Sequence, residues 1–214
     1  MKTAAVLWTG GKDCALAFFK AQKKGYRITY LVTFAPESPS FKAHPIHLIK
    51  KQAKAINITH LLLTVKTPIK ESYENAIQLL KDKHKINTLI TGDIDEVDGH
   101  SNWIEECSLK SEMQVFNPLW KKDRTYLLNE LIINKFQVVF TLVKKSVFNK
   151  NWIGKPLDKN SINNLNKKLN IDICGENGEY HTMVLNAPYF QHEIVIGNIE
   201  LTENDNYYYL KTKL

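Results

Sequence analysis

Apolar positions along the chain change period in a regular order. Thr3 to Trp8 is a continuous apolar run and predicts a buried strand, while Asp13 to Lys24 carries Ala15, Leu16, Phe18 and Phe19 at helical spacing and stops at Gly25. Arg27 to Phe34 predicts a second strand, and the Pro- and Ser-containing segment Ala35 to Pro45 a loop. Ile46 to Ile56 predicts a helix, His60 to Val65 a third strand, and Glu71 to His84 a helix with Tyr73, Ile77 and Leu80 on one face. Asn87 to Thr91 predicts a fourth strand ending at Gly92-Asp93, Val97 to Lys110 a helix, and Gln114 to Phe116 a short fifth strand.

Alternating strands and helices, with strands rich in Val, Ile and Leu, predict an α/β fold whose parallel sheet is covered on both faces. In such sheets ligands bind beyond the carboxyl ends of the strands. Three segments are expected there: Thr9 to Asp13, Thr33-Phe34-Ala35, and Gly92-Asp93. The pattern changes after Pro118-Leu119-Trp120. Asp123 to Asn134 predicts a helix and Phe136 to Val143 a strand, both compatible with the same sheet, before an irregular Lys- and Asn-rich stretch over residues 144–170. His192 to Leu201 and Tyr207 to Lys213 carry strand signals. The expected organisation is a core over residues 1–120 and a smaller C-terminal α+β subdomain over 121–214.

Composition narrows the classes. With 214 residues, 43% hydrophobic and 24% charged, the chain can build a sizeable core. No run approaches the roughly 18 apolar residues that span a bilayer, and the N-terminus turns polar too soon for a signal peptide. A cytoplasmic chain away from membranes is expected. Cys14, Cys107 and Cys174 lie far apart without a paired spacing, which disfavours a disulfide framework or a zinc or iron–sulfur site. The net charge of +7 rests almost wholly on lysine, since Arg27 and Arg124 are the only arginines. Eight lysines against the single acid Asp158 fall between Lys135 and Lys168. Such a band is a solvated face or a docking surface for an acidic macromolecule; the scarcity of arginine speaks against nucleic acid.

The junction of the first strand and helix reads Thr9-Gly10-Gly11-Lys12-Asp13-Cys14. Glycines before a helix N-terminus let backbone N–H groups approach a phosphate. A Walker A loop would need Gly at Val6 and Ser or Thr at Asp13, and the dinucleotide pattern G-x-G-x-x-G is absent. The segment resembles instead the S-G-G-x-D-S pyrophosphate loop of the ATP pyrophosphatases, with Thr9 and Cys14 in place of the two serines. Together with GDIDEVDGHSNWIEE (92–106), FNPLWKKD (116–123) and above all CGENGEYHT (174–182), it resembles the diphthine–ammonia ligase family, in that family's motif order. GENGEYHT and the short loop at His44 look closer to the bacterial members.

The resemblance implies a PP-loop core, like that of the adenine-nucleotide α-hydrolases, and an ATP-dependent carboxylate–ammonia ligase. ATP adenylates a carboxylate, pyrophosphate leaves, and ammonia displaces AMP; in the named case the carboxylate belongs to diphthine on elongation factor 2. It implies ATP and Mg²⁺ as cofactors, with Thr9, Gly10, Gly11, Lys12, Asp13 and Cys14 on the phosphates and Asp13 and Asp93 on the metal. Thr33 and Phe34 would lie near the adenosine by fold position, and Gly92 and Asp93 near the α-phosphate. Glu176 and Glu179, two carboxylates in a Gly-bracketed loop, would hold or deprotonate ammonium, or meet diphthine's trimethylammonium with Tyr180 as a cation–π face. His181 and His44 are expected on the substrate side. The implied partners are the carboxylate substrate, ammonium, an elongation-factor-like protein on the lysine band, and a second copy in a homodimer. A tRNA-thiolating enzyme shares the pyrophosphate loop, and a non-catalytic nucleotide-binding module shares the α/β core; both remain as alternatives on the residues alone.

Overall fold

A computed structural model describes residues 3–37, 41–96, 99–100, 102–197 and 199–212. In chain order the elements are β1 (Thr3–Leu7), α1 (Lys12–Lys23), β2 (Arg27–Ala35), α2 (Ile46–Ile56), β3 (Thr59–Thr64), α3 (Ile69–His84), β4 (Thr88–Ile90) and α4 (Trp103–Ser108). They continue with β5 (Gln114–Phe116), α5 (Arg124–Ile133), β6 (Gln137–Lys144), α6 (Lys159–Asn166), β7 (Tyr180–Asn186), β8 (Ile199–Glu203) and β9 (Tyr207–Thr212). The chain divides into two compact units. The first holds Met1–Thr9, Asp13–Pro39 and Asn57–Lys121; the second holds Gly10–Lys12, Ser40–Ile56 and Lys122–Leu214.

The first unit carries a five-stranded sheet in the order β3-β2-β1-β4-β5, every pairing parallel, so the α/β expectation holds. Its core gathers Ala5, Val32, Leu89, Ile77, Leu80 and Ile104, inward positions of the strands and of α3 and α4, together with Met113 just ahead of β5. Helix α4 is shorter than the periodicity predicted. Asn102 caps it by accepting the Glu105 N–H at 3.1 Å, and Val97, Asp98 and Ser101 of the expected span lie outside the described residues.

The second unit carries an antiparallel sheet in the order β7-β6-β9-β8. Two expectations are corrected here. The strand read over Phe136 to Val143 does not extend the parallel sheet; as β6 it lies between β7 and β9. Within His192 to Leu201 the strand begins only at β8; residues 192–197 are irregular, and Asn198 lies outside the described residues. Residues 144–170 are also less irregular than their composition suggests. Asp158 and Ser161 form a reciprocal capping box that starts α6, and Ile162 and Leu165 are its buried apolar positions. Leu48, Ala55, Met183 and Ile194 form an apolar cluster in this unit. Among the described residues no helix is long and apolar enough to cross a membrane.

Candidate active site

Within the first unit the strand order reverses direction at β1, which lies between β2 and β4. Crevices at such switch points are where open α/β sheets take ligands. The carboxyl ends of β1 and β4 carry Thr9 and Gly92-Asp93, and Asp13 and Cys14 open α1 beside them. Gly92 makes that approach possible: a Cβ on it would stand 2.6 Å from the Asp13 carbonyl carbon and the Cys14 nitrogen. Asp93 is fixed by Thr91, whose hydroxyl donates to Asp93 Oδ2 at 2.6 Å and accepts the Asp93 N–H at 3.3 Å. Burial pushes the Asp93 carboxyl above its usual range, the Thr91 hydrogen bond pulls it back, and the charge of Asp13 adds to the rise. The Thr9 hydroxyl and the Cys14 thiol lie 3.7 Å apart.

Thr33 and Phe34 lie in β2, within the strand expected over Arg27 to Phe34, and β2 stays paired with β3 one residue further, as far as Ala35 opposite Thr64. The Thr33 hydroxyl donates to the Trp8 carbonyl at 2.5 Å and stands 2.8 Å from His60 Nε2, so it ties β2 to β1. Phe34 packs on Tyr73, ring centroids 4.5 Å apart.

The second unit contains both Gly10–Lys12 and the CGENGEYHT loop, and Lys12 connects them. Its side chain is only 3% exposed. The ammonium donates to the Cys174 carbonyl at 2.5 Å and stands 5.3 Å from the centre of the Tyr180 ring, and its backbone N–H donates to Thr182 Oγ1 at 3.2 Å. Gly10 takes φ +83°, and its carbonyl accepts the Val184 N–H at 2.9 Å.

The loop over residues 172–180 is braced from inside. Glu179 accepts the Asp172 and Asn177 N–H groups at 2.7 and 3.0 Å, one on each oxygen, and Asp172 pairs with Arg124 at 3.0 Å. The two glutamates are therefore unlike. Glu179 is buried as the clamp of its own loop, and Glu176 is partly exposed.

Tyr180 departs from the role expected of it. It is buried, its hydroxyl donates to Ile173 O at 2.6 Å, and Phe140 meets its ring edge-on at 4.9 Å. The cation on its ring is Lys12, which leaves no open face for a substrate's trimethylammonium in this arrangement. His44 and His181 are brought together edge-to-face at 5.3 Å. The His44 Nδ1 is sealed from solvent with no hydrogen-bond partner among the described residues. Burial, then the neighbouring His181 and Lys12, lowers the His44 pKa to about 3, so the ring is neutral.

Sequence reasoning missed Gln52, Asp172 and Arg124. Gln52 left a signal: it is the one polar residue among the buried positions Leu48, Ile49, Ala53, Ala55 and Ile56 of α2. Asp172 and Arg124 left none, because an ion pair 48 residues apart has no local period.

Comparison with known proteins now decides the family. The diphthamide synthase N-terminal domain matches residues 1–115, and the diphthamide synthase C-terminal domain matches residues 123–213. The chain belongs to the diphthamide synthase family. It is similar to the diphthine–ammonia ligases of Bos taurus and Homo sapiens, each 24% identical over 94% of this chain and 85% of theirs. It is also similar to that of Schizosaccharomyces pombe, 31% identical over 51% of this chain and 19% of that protein. A solved structure titled a predicted subunit of tRNA methyltransferase, from Methanocaldococcus jannaschii, aligns over 88% of this chain and 98% of its own, with 20% identity and a TM-score of 0.49. Membership of the diphthamide synthase family agrees with the resemblance carried by the TGGKDC and CGENGEYHT motifs and with an ATP-dependent ligase as the class of enzyme.

Proposed function

We propose that this diphthamide synthase family member activates a carboxylate with ATP and converts it to a carboxamide with ammonia; its relatives are named diphthine–ammonia ligases. The observation that carries the reading is Lys12. Its side chain comes from the TGGKDC loop and is seated on the Cys174 carbonyl of the CGENGEYHT loop, so one residue of the first motif is held by the second.

A carboxylate is a poor electrophile. Its oxygen attacks the α-phosphorus of ATP, the bond to the β-phosphate oxygen breaks, and pyrophosphate departs. Ammonia then attacks the acyl carbon and AMP leaves. Thr9, Gly10, Gly11 and Cys14 offer backbone and side-chain donors to the phosphates, and Lys12 balances the charge of the departing pyrophosphate. Magnesium fits Asp13 and Asp93. A buried carboxyl pushed upward beside a second carboxylate is relieved by a divalent cation, and Mg²⁺ favours one or two carboxylates completed by phosphate oxygens. When bound, the ion would neutralise phosphate charge.

Glu176, partly exposed next to the buried Glu179, is the residue we assign to ammonium, with Glu179 holding the loop in shape. His44, its ring neutral, and its edge-to-face neighbour His181 are the residues we assign to the substrate side. The lysine band from Lys135 to Lys168 is the docking face for an acidic protein acceptor. The burial of all three cysteines speaks against the thiolating alternative, and at Cys107 burial also raises the thiol to about 11.

The test is product analysis with α-labelled ATP, Mg²⁺, ammonium and a panel of carboxylates that includes diphthine-bearing elongation factor 2. AMP and pyrophosphate, dependent on one acceptor and lost in Asp13→Ala, support the reading. ADP and phosphate overturn it.

A further inference from the structure

Gln52 lies at the centre of α2 and is completely buried. A side-chain amide in that position is destabilising unless it is hydrogen-bonded, and this one bridges two segments distant in sequence. Its Nε2 donates to the Gly10 carbonyl at 2.9 Å and to the Val184 carbonyl at 2.7 Å, with Met183 Sδ at 3.0 Å. The Gly10 carbonyl thereby accepts two hydrogen bonds, one from Gln52 and one from the Val184 backbone N–H. A single bond would leave the peptide plane free to rotate about it; two from different directions hold it.

That restraint falls on the residue with the most freedom to lose, a glycine at φ +83°. Because the peptide is planar and trans, fixing the Gly10 carbonyl fixes the Gly11 N–H in the opposite direction, and Lys12 follows directly. The side chain of Gln52 also explains why position 10 is glycine: a Cβ there would run into the Gln52 amide and stand 2.8 Å from Met183 Sδ.

We propose that Gln52 is a positioning residue for nucleotide binding, its buried amide fixing the Gly10–Gly11 peptide in the orientation that phosphate recognition requires. The proposal rests on the ATP reading of the TGGKDC loop. It assigns Gln52 to affinity for the nucleotide, not merely to packing of α2 against β7.

The test is titration of α,β-methylene-ATP with Mg²⁺ into the full chain and into Gln52→Met, Gln52→Glu and Met183→Leu, with the fold followed by near-ultraviolet circular dichroism. Gln52→Met keeps volume without donors, and Gln52→Glu keeps shape while placing oxygens against two carbonyls. Both are expected to bind the analogue about tenfold more weakly or worse. Met183→Leu removes only the sulfur contact and stays within about twofold. A folded Gln52→Met with wild-type affinity overturns the proposal, however much its melting temperature falls. Should both Gln52 variants fail to fold, the side-chain amide resonances of Gln52 in ¹⁵N-labelled wild-type protein decide: they shift when the analogue binds, and unchanged resonances overturn the proposal. Wild-type protein that does not bind the analogue at all removes the ATP reading itself, a failure distinct from variants that bind as well as wild type.

Discussion

The ammonium of Lys12 stands 2.5 Å from the carbonyl oxygen of Cys174, 162 residues further along the chain. A buried cation must be matched by acceptors or by an anion. Here the Cys174 carbonyl and the Tyr180 ring supply part of that match, both from the motif that sequence reading singled out separately.

Replacing Lys12 with Met removes the donor to a buried carbonyl and the cation over Tyr180. The variant is expected to be about 1–3 kcal/mol less stable in urea denaturation and to lose AMP formation at least about 100-fold. Wild-type activity in a folded Lys12→Met protein would separate the two motifs functionally.

Glu179 and Glu176 should part company. In Glu179→Gln one of the two accepting oxygens becomes a donor facing a backbone N–H, at Asp172 or at Asn177. The loss is expected to be about 1.5–3 kcal/mol, read by thermal melting. Glu176→Gln should cost less stability than Glu179→Gln, because Glu176 is partly exposed, while the ammonium KM rises. The reverse ranking would exchange their roles.

Much of this was legible in the sequence. The parallel strands announced themselves by continuous apolar runs, and Gly25 stopped α1 as read, its φ at +84°. The two motifs stood out by their glycines. What escaped is what depends on distant partners. Phe136 to Val143 has a strand's composition in either sheet, and only the pairing with Tyr180–Asn186 assigns it to the antiparallel one. Tyr180 looked like an open aromatic because nothing local says that Phe140 and Lys12 will cover it. The second unit also draws Gly10–Lys12 and α2 from the N-terminal half, which no compositional change marks.

Asp93 is expected to trade stability for function. Its carboxyl pKa is raised in the fold, so ionisation opposes folding: the residue favours the native state below its unfolded value and loses that advantage as pH rises through the folded value. Asp93→Asn keeps an acceptor for Thr91 and abolishes the repulsion with Asp13. At neutral pH it should melt higher, by up to about 1 kcal/mol, while Mg²⁺-dependent nucleotide binding weakens.

His44 sets a second pH dependence. The imidazole is held neutral to about pH 3 in the fold by burial, His181 and Lys12, whereas the unfolded chain protonates near 6.5. Between these values the unfolded state binds more protons, so stability is full above about pH 6.5 and falls as the pH drops towards 3, by up to roughly 1.4 kcal/mol per pH unit from this group. His44→Phe should flatten that part of the stability profile measured by urea denaturation. An unchanged slope would mean that His44 is protonated in the native protein.

The reaction mechanism itself is most directly tested with an acceptor whose carboxylate carries ¹⁸O, incubated with the full chain, ATP, Mg²⁺ and ammonium, with mass spectrometry of the nucleotide product. Attack by the carboxylate on the α-phosphorus places a carboxylate oxygen on AMP, so labelled AMP is the expected result, in step with carboxamide formation. Unlabelled AMP would mean that water attacks ATP, and label in inorganic phosphate with ADP would mean an acyl phosphate; either would contradict adenylation at the TGGKDC loop.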